Sequence, residues 1–238
     1  MMPTAVQLYD VIAGTWPAAS TRTLGPWLIR EGQDGGQRVM ASTATGPVTD
    51  ADIPRAEAAM QALNQPLIFQ IREDDTALDS LLAARGYKIV DPVNLYVAPV
   101  GDIATQKPPR VTAFTVWEPL AIQLDIWAKG GIGPGRIAVM MRAKGPKTSI
   151  LGRLNDSPAA AAYVAIHGQI AMLHALEILP HQRRQSMGRY AMRQAAYWAL
   201  GNGATHLSVV CTQTNTGANA LYTSLGMTLV GQYHYRRK

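Results

Sequence analysis

The stretch Leu176-Glu-Ile-Leu-Pro-His-Gln-Arg-Arg-Gln-Ser-Met-Gly188 decides how this chain reads. It takes up the end of an apolar run, Ile170–Leu179, and leads into Gly188–Leu200, where Ala191, Ala195, Trp198 and Ala199 recur at helical spacing. A strand that turns through a basic loop of small residues into a helix N-terminus is a cradle for phosphate. The first-turn N–H groups have no partner inside the helix and the helix dipole favours anions. Arg183, Arg184 and Arg189 add charge of the right sign. The loop lacks the Gly-Lys-Ser/Thr of a Walker sequence and the Gly-x-Gly-x-x-Gly of a dinucleotide fingerprint. On spacing alone, a basic helix start that faces solvent is the competing reading.

Composition bounds what surrounds this segment. The 238 residues are 47% hydrophobic and 16% charged, enough apolar material for a real core and unlike a disordered or fibrous chain. A single cysteine, Cys211, excludes a disulfide framework and a cysteine-clustered zinc site. Met1-Met2-Pro3-Thr4 carries no basic lead, so no secretory signal is expected and the reading is a cytoplasmic protein. Pro158 to Leu176 holds no Asp, Glu, Lys or Arg, yet His167-Gly-Gln in its middle reads as the turn of a buried hairpin and not as part of a membrane span. Charge is uneven. Residues 1–109 hold 8 basic against 12 acidic residues and the rest 14 against 4, which together give the net +6. Such asymmetry points to a polyanion or a phosphorylated small molecule at the second half.

The chain also repeats itself. Gln65-Pro-Leu-Ile-Phe-Gln-Ile-Arg72 and Leu78-Asp-Ser-Leu-Leu-Ala-Ala-Arg-Gly-Tyr87 fall, with one constant shift, on Thr205-His-Leu-Ser-Val-Val-Cys-Thr212 and Ala218-Asn-Ala-Leu-Tyr-Thr-Ser-Leu-Gly-Met227. Each copy reads as a buried strand, a short helix ended by Gly86 or Gly226, and a strand closing on Tyr96 or Tyr235. Val100–Arg110, aperiodic and ending in a double proline, reads as a linker. Two domains are expected, 1–104 and 105–238. In the second, strands at Arg110–Trp117, Ser149–Leu154, Ala159–Ile166 and Ile170–Leu179 join helices at Pro119–Lys129, Gly135–Ala143 and Gly188–Leu200. That pattern gives an α/β (α+β) fold.

From Arg110 to the C-terminus the chain resembles the GNAT superfamily of acyl-CoA-dependent N-acetyltransferases. Ile178-Leu179-Pro180 stands at the family's strand end and Arg183-Arg-Gln-Ser-Met-Gly188 at its pyrophosphate loop. Asn215-Thr-Gly-Ala-Asn-Ala-Leu-Tyr222-Thr-Ser-Leu-Gly-Met227 matches its second signature. The resemblance implies a mixed, mostly antiparallel sheet flanked by helices, with a degenerate copy of the fold in the first half. It implies acetyl-CoA as co-substrate, no metal, and a small-molecule or peptide amine as acceptor. Nucleic-acid and membrane partners are not expected. Two positions depart from the family: Ser186 replaces a loop glycine, which predicts a modest loss of CoA affinity, and Met227 replaces a phenylalanine.

Site roles follow from the same resemblance. Ile178, Leu179, Arg183, Arg184, Gln185, Ser186, Met187, Gly188, Arg189 and Asn215 are expected along the cofactor, Asn215 either on the pantetheine arm or as the former of a strand–helix turn. Tyr222 is expected to act as general acid toward the departing thiolate. A phenol near ~10 can donate to, or hydrogen-bond, a nascent thiolate whose thiol titrates near ~8.5 without being ionised itself. Leu82 stands at the matching place in the first half. A lysine-like amine costs about 4 kcal/mol to deprotonate at neutral pH, so a base is required. His174 is the first candidate, placed by strand alternation on one face with Met172, Leu176 and Ile178. Glu177 is the second, on the opposite face unless a bulge re-aims it.

Other features read more plainly. Gly130-Gly-Ile-Gly-Pro-Gly135 is a loop whose Pro134 opens a helix. The four remaining histidines show no metal spacing, and Arg236-Arg237-Lys238 reads as a solvated tail. The acidic first half, Asp74 and Asp75 above all, is expected to help recruit a cationic acceptor. The rival to an enzyme is a non-catalytic acyl-CoA-binding sensor or interaction module.

Overall fold

Thr4 starts the first helix by accepting from the Gln7 N–H at 3.4 Å while the Gln7 side chain accepts from the Thr4 N–H at 2.9 Å, a reciprocal cap. In the computed structural model, which describes residues 1–238, this helix is α1 (Ala5–Thr15). A small antiparallel sheet follows, β1 (Ser20–Leu24), β2 (Trp27–Glu31) and β3 (Thr43–Ala44), with α2 (Gln37–Met40) ahead of its last strand. The first half then runs α3 (Ile53–Ala62), β4 (Ile68–Arg72), α4 (Thr76–Ala84), β5 (Lys88–Pro99) and α5 (Val100–Ile103). The second opens with β6 (Ala113–Val116), α6 (Ala121–Lys129), α7 (Pro134–Arg142) and β7 (Lys147–Leu154). It continues through β8 (Ser157–His167), β9 (Ile170–Ile178), α8 (Met187–Gly201), β10 (His206–Thr212), α9 (Thr216–Ser224) and β11 (Thr228–Arg237).

One eight-stranded sheet takes strands from both halves, in the order β4-β11-β5-β10-β9-β8-β7-β6. Every neighbouring pair is antiparallel except β9 and β10. This is the mixed α/β, mostly antiparallel architecture that the sequence implied. On one face α8 lays Met192, Ala195, Ala196 and Ala199 against Ile150, Val164 and Leu207, its small side chains permitting close approach. The other face is covered by α1, through Leu8, Val11 and Ile12, and by Trp127 of α6 and Val139 of α7. The uncharged Pro158–Leu176 stretch is the β8–β9 hairpin, turning at Gly168. No helix is long and apolar enough to cross a membrane.

The repeated segments take the same local form. Helix α4 runs Thr76–Ala84 and α9 Thr216–Ser224, and the glycines that follow, Gly86 and Gly226, have φ of +84° and +75°. That left-handed region strains any residue with a Cβ. The last strands then cross between halves: β5 pairs with β10, β11 pairs with β4, and β5 and β11 lie side by side.

Two expectations are corrected here. The stretch at Val100–Arg110 is not linker throughout, because Val100 and Ile103 are buried in α5 against the α8 side of the core, where apolar burial outweighs the missing periodicity. Nor is the C-terminal Arg236 part of a solvated tail. It lies in β11 and holds Asp79 through Nε and Nη2 at 2.7 and 2.8 Å, a bidentate pair that pulls the Asp79 carboxyl below its ordinary range.

Candidate active site

Between β9 and α8 the chain makes a short 3-10 turn at Pro180–Gln182 and then enters the basic loop. Arg184 and Ser186 are both left-handed, with φ of +62° and +63°, and the backbone N–H groups of Arg184 through Arg189 donate to no protein atom. Left-handed residues alternating with ordinary ones form a concave nest of N–H groups, a site for phosphate oxygens. Ser186 therefore differs from a glycine in conformation as well as in bulk, at a cost of about 1 kcal/mol. Gly188 is required for a different reason. A Cβ there would lie 2.9 Å from Leu221 Cδ2 and 3.3 Å from Ile178 Cδ1, so the start of α8 is pressed onto α9 and β9.

The loop side chains divide by their partners. Arg184 is exposed and has none. Arg183 folds back, its Nε donating to the Ile178 carbonyl at 3.0 Å and its Nη2 to Glu177 Oε1 at 3.2 Å. Gln185 accepts from Asn155 and donates to the His181 carbonyl, and Arg189 donates to Ser224 Oγ at 3.1 Å. Met187 is buried beneath the loop against Ala159 and Ala160, leaving only its N–H for a ligand. Leu179 is buried with Trp127 and Tyr163, and Ile178 packs on Met187.

Strand β9 carries the next element. Opposite β8, Tyr163 pairs with His174 and Ala161 with Glu177, so β9 has one residue more than its partner between these pairs, and Ala175 has φ of +51°. This bulge corrects the alternation expected from the sequence. His174 and Glu177 share a face, while Leu176 and Ile178 turn to the α8 side. The parallel ladder between β9 and β10 ends at Leu173 and Val209, beyond which β9 has no strand partner on that edge.

His174 is buried and both its ring nitrogens are engaged. Arg38 Nη1 lies 3.2 Å from Nδ1, and a guanidinium only donates, so Nδ1 accepts. The proton therefore sits on Nε2, which donates to Thr15 Oγ1 at 2.8 Å, and that hydroxyl donates to the Val11 carbonyl at 2.6 Å. Burial first, and the Arg38 charge second, hold the imidazole well below its usual range, so it is neutral. Trp16 and Tyr163 stack on it at 5.0 and 6.0 Å.

Glu177 is different. Its Oε1 accepts from Arg183, and its carboxylate lies over the Cα of Gly130 in the loop after α6.

On α9, Tyr222 is buried beside Tyr96, with ring centroids 5.8 Å apart, and its hydroxyl has no hydrogen-bond partner in the protein. Burial raises its pKa far above 10, so the phenol keeps its proton. Of the two readings for Asn215, the geometry takes the turn-forming one: its side chain caps α9 by accepting from the Ala218 N–H at 3.1 Å.

A cavity of 210 Å³ opens where β9 and β10 part, touching Ala175 and Cys211. Its walls come from both halves: Trp16, Arg38, Asp91 and Val93 from the first, Ile132, Arg136 and Tyr233 from the second. Asp91 is its one carboxylate, and neither Asp74 nor Asp75 lines it, so the acidic recruiting surface expected from the charge count is not at this mouth. Sequence reading missed Arg38, Trp16 and Thr15, which meet His174 only through the tertiary fold. It also missed the contact of Gly130 with Glu177. Burial pushes the Cys211 thiol up to about 11.

The chain is similar to known proteins. The chain is 25% identical over 235 residues, 95% of each chain, to the uncharacterized N-acetyltransferase YobR of Bacillus subtilis. It is 29% identical over 103 residues, 43% of this chain and 68% of the relative, to an aminoglycoside N(6')-acetyltransferase type 1 of Klebsiella aerogenes. The fold is shared with a GCN5-related N-acetyltransferase from Kribbella flavida, TM-score 0.75 at 21% identity over 100% of this chain and 96% of that one. Residues 123–227 match the acetyltransferase (GNAT) family model, a span that holds the bulge, the N–H nest and the Tyr222 helix. Over that span the chain is similar to the GNAT family of acetyltransferases, whose co-substrate is acetyl-CoA.

Proposed function

We propose that this chain transfers the acetyl group of acetyl-CoA to a primary amine by direct attack within a ternary complex. One observation carries the reading: the bulged, half-unpaired end of β9 runs from the cavity at Ala175 to the N–H nest at Arg184–Arg189. The nest binds the CoA pyrophosphate, helped by Arg184 and Arg189, and the free edge of β9 near Ile178 holds the thioester carbonyl and its oxyanion. Glu177, not His174, takes the amine proton, because its Oε2 is free of an ion pair while both imidazole nitrogens are committed. As the amine nitrogen bonds to the acyl carbon and the C–S bond breaks, the Tyr222 O–H hydrogen-bonds the departing thiolate, which takes its final proton from solvent. His174 acts as a positioning residue for Arg38 and Trp16.

Residues 1–104 are, in this reading, a degenerate copy of the domain at 105–238. They supply β5 and one cavity wall and no second catalytic site, since Leu82 stands where Tyr222 stands. The acceptor is a small molecule or a peptide end. The aminoglycoside acceptor named for one relative is not carried over, because a polycation would meet Arg38 and Arg136 with Asp91 as the one balancing carboxylate.

The test is calorimetric titration with acetyl-CoA, with CoA and ATP as controls, followed by an amine panel read as free thiol released. Binding weakened by Arg184→Ala and turnover with at least one amine are expected. Binding without turnover on any amine would favour the acyl-CoA sensor, and no binding would remove both readings.

A further inference from the structure

A second cavity, of 730 Å³, lies in the angle between α1 and the β1–β2 hairpin, bounded by the loop after α7. Arg30, Arg38, Arg72, Arg142 and Lys144 all line it, and no Asp or Glu does. None of these five side chains takes part in an ion pair. Their polar contacts go to groups that keep their protons or carry none: Arg30 to the Ala41 carbonyl and Thr43 Oγ1, Arg142 to the Pro17 carbonyl and Gln33, and Arg38 to His174 and to the Tyr233 and Tyr235 hydroxyls, which favour its charge. The acids that feel this region stand outside its lining: Glu31 senses the Arg142 charge, and Glu73 and Asp75 act on Tyr9.

Two further observations bear on how this charge is met. The Nε atoms of Arg38 and Arg72 are buried with no hydrogen-bond partner, a costly state for a guanidinium donor. Arg30 is pushed down to about 10, first by burial and then by the neighbouring Arg72 charge. A fold that collects like charges in a partly enclosed space, with donors left over, is short of an anion. Hydrophobic walls from Tyr9, Ile12, Trp16 and Leu28 give the space an organic lining.

We infer that this chamber is a binding site for a small organic anion bearing carboxylate or phosphate groups. Bidentate guanidinium groups suit either oxyanion, and the ligand's negative charges would face Arg30, Arg38 and Arg72. The site is separate from the N–H nest, which lies on the loop between β9 and α8. It does not depend on the chain being a catalyst. Arg38 lines both cavities and touches His174, so an occupied chamber would be felt at the wall of the smaller one.

Citrate and pyrophosphate serve as probes, titrated by calorimetry into the full chain already saturated with CoA. Saturable binding of either supports the site, citrate alone marking a carboxylate ligand and pyrophosphate alone a phosphate one. Arg72→Gln should weaken that binding about tenfold or more, the worth of a charge-assisted hydrogen bond. Arg72 also packs on the Tyr9 ring at 4.4 Å, so Lys144→Glu, an exposed rim change that threatens no packing, is the second variant and should weaken it several-fold. Binding that CoA abolishes, binding equally strong in both variants, or no binding of either probe at millimolar concentration would each overturn the inference.

Discussion

Glu177 rests its carboxylate on Gly130: a Cβ at that glycine would come within 2.5 Å of Oε2 and 2.6 Å of Cδ. The glycine is there for the space it leaves, since its own φ of −85° suits any residue. Gly130→Ala should therefore displace Glu177 with little effect on folding and lower kcat/KM about 10- to 100-fold, as expected for a misplaced catalytic group. Steady-state kinetics beside a thermal melt check this, and an unchanged kcat/KM would remove Glu177 as base.

Tyr222→Phe removes a hydroxyl that has no protein partner, so stability should hold. The rate should fall by about 100-fold or more while acetyl-CoA affinity stays within a factor of about two, the signature of a group used in the transition state. A large loss of affinity would mean that Tyr222 only shapes the CoA groove.

Gly188→Ala presses a methyl group against Leu221 and Ile178. Overpacking of this kind costs about 1–3 kcal/mol, and the shift of the α8 start should also weaken acetyl-CoA binding. Urea unfolding and titration of the same variant measure the two effects, and both are expected together.

His174 gives a pH signature. Its folded-state pKa is depressed, so the unfolded chain binds the proton more tightly. Stability from this group is full above the unfolded value of about 6.5 and drains away as pH falls below it. Melting temperatures recorded down to about pH 5 should fall more steeply for the native chain than for His174→Gln. His206 is also lowered, by burial, and both proteins retain it, so the difference isolates His174.

What could be read beforehand follows a physical division. The nest, the helix after it and the strand–helix–glycine repeat are written in neighbouring residues, because turns, caps and periodicity are local. The bulge at Ala175 is open only as an alternative, since a single extra residue in a ladder leaves the apolar alternation of β9 almost unmarked while it brings Glu177 onto the face of His174. The partners of His174 lie 136 and 159 positions away. Summed charge misled most. The first half counts more acids than bases, yet three of its arginines, Arg30, Arg38 and Arg72, turn toward one chamber while its carboxylates point elsewhere.

The crossing of β5 and β11 makes the two halves hostages to each other. A cut in the exposed loop near Gln106 should yield fragments that are each a sheet with a missing stave, sticky at the open edge and unable to reach a native state alone. Mixed together they should reassemble, and circular dichroism of the separate and combined pieces would show it. The same weave makes the intact protein a slow folder, because its central strands cannot close until both ends of the chain are in hand.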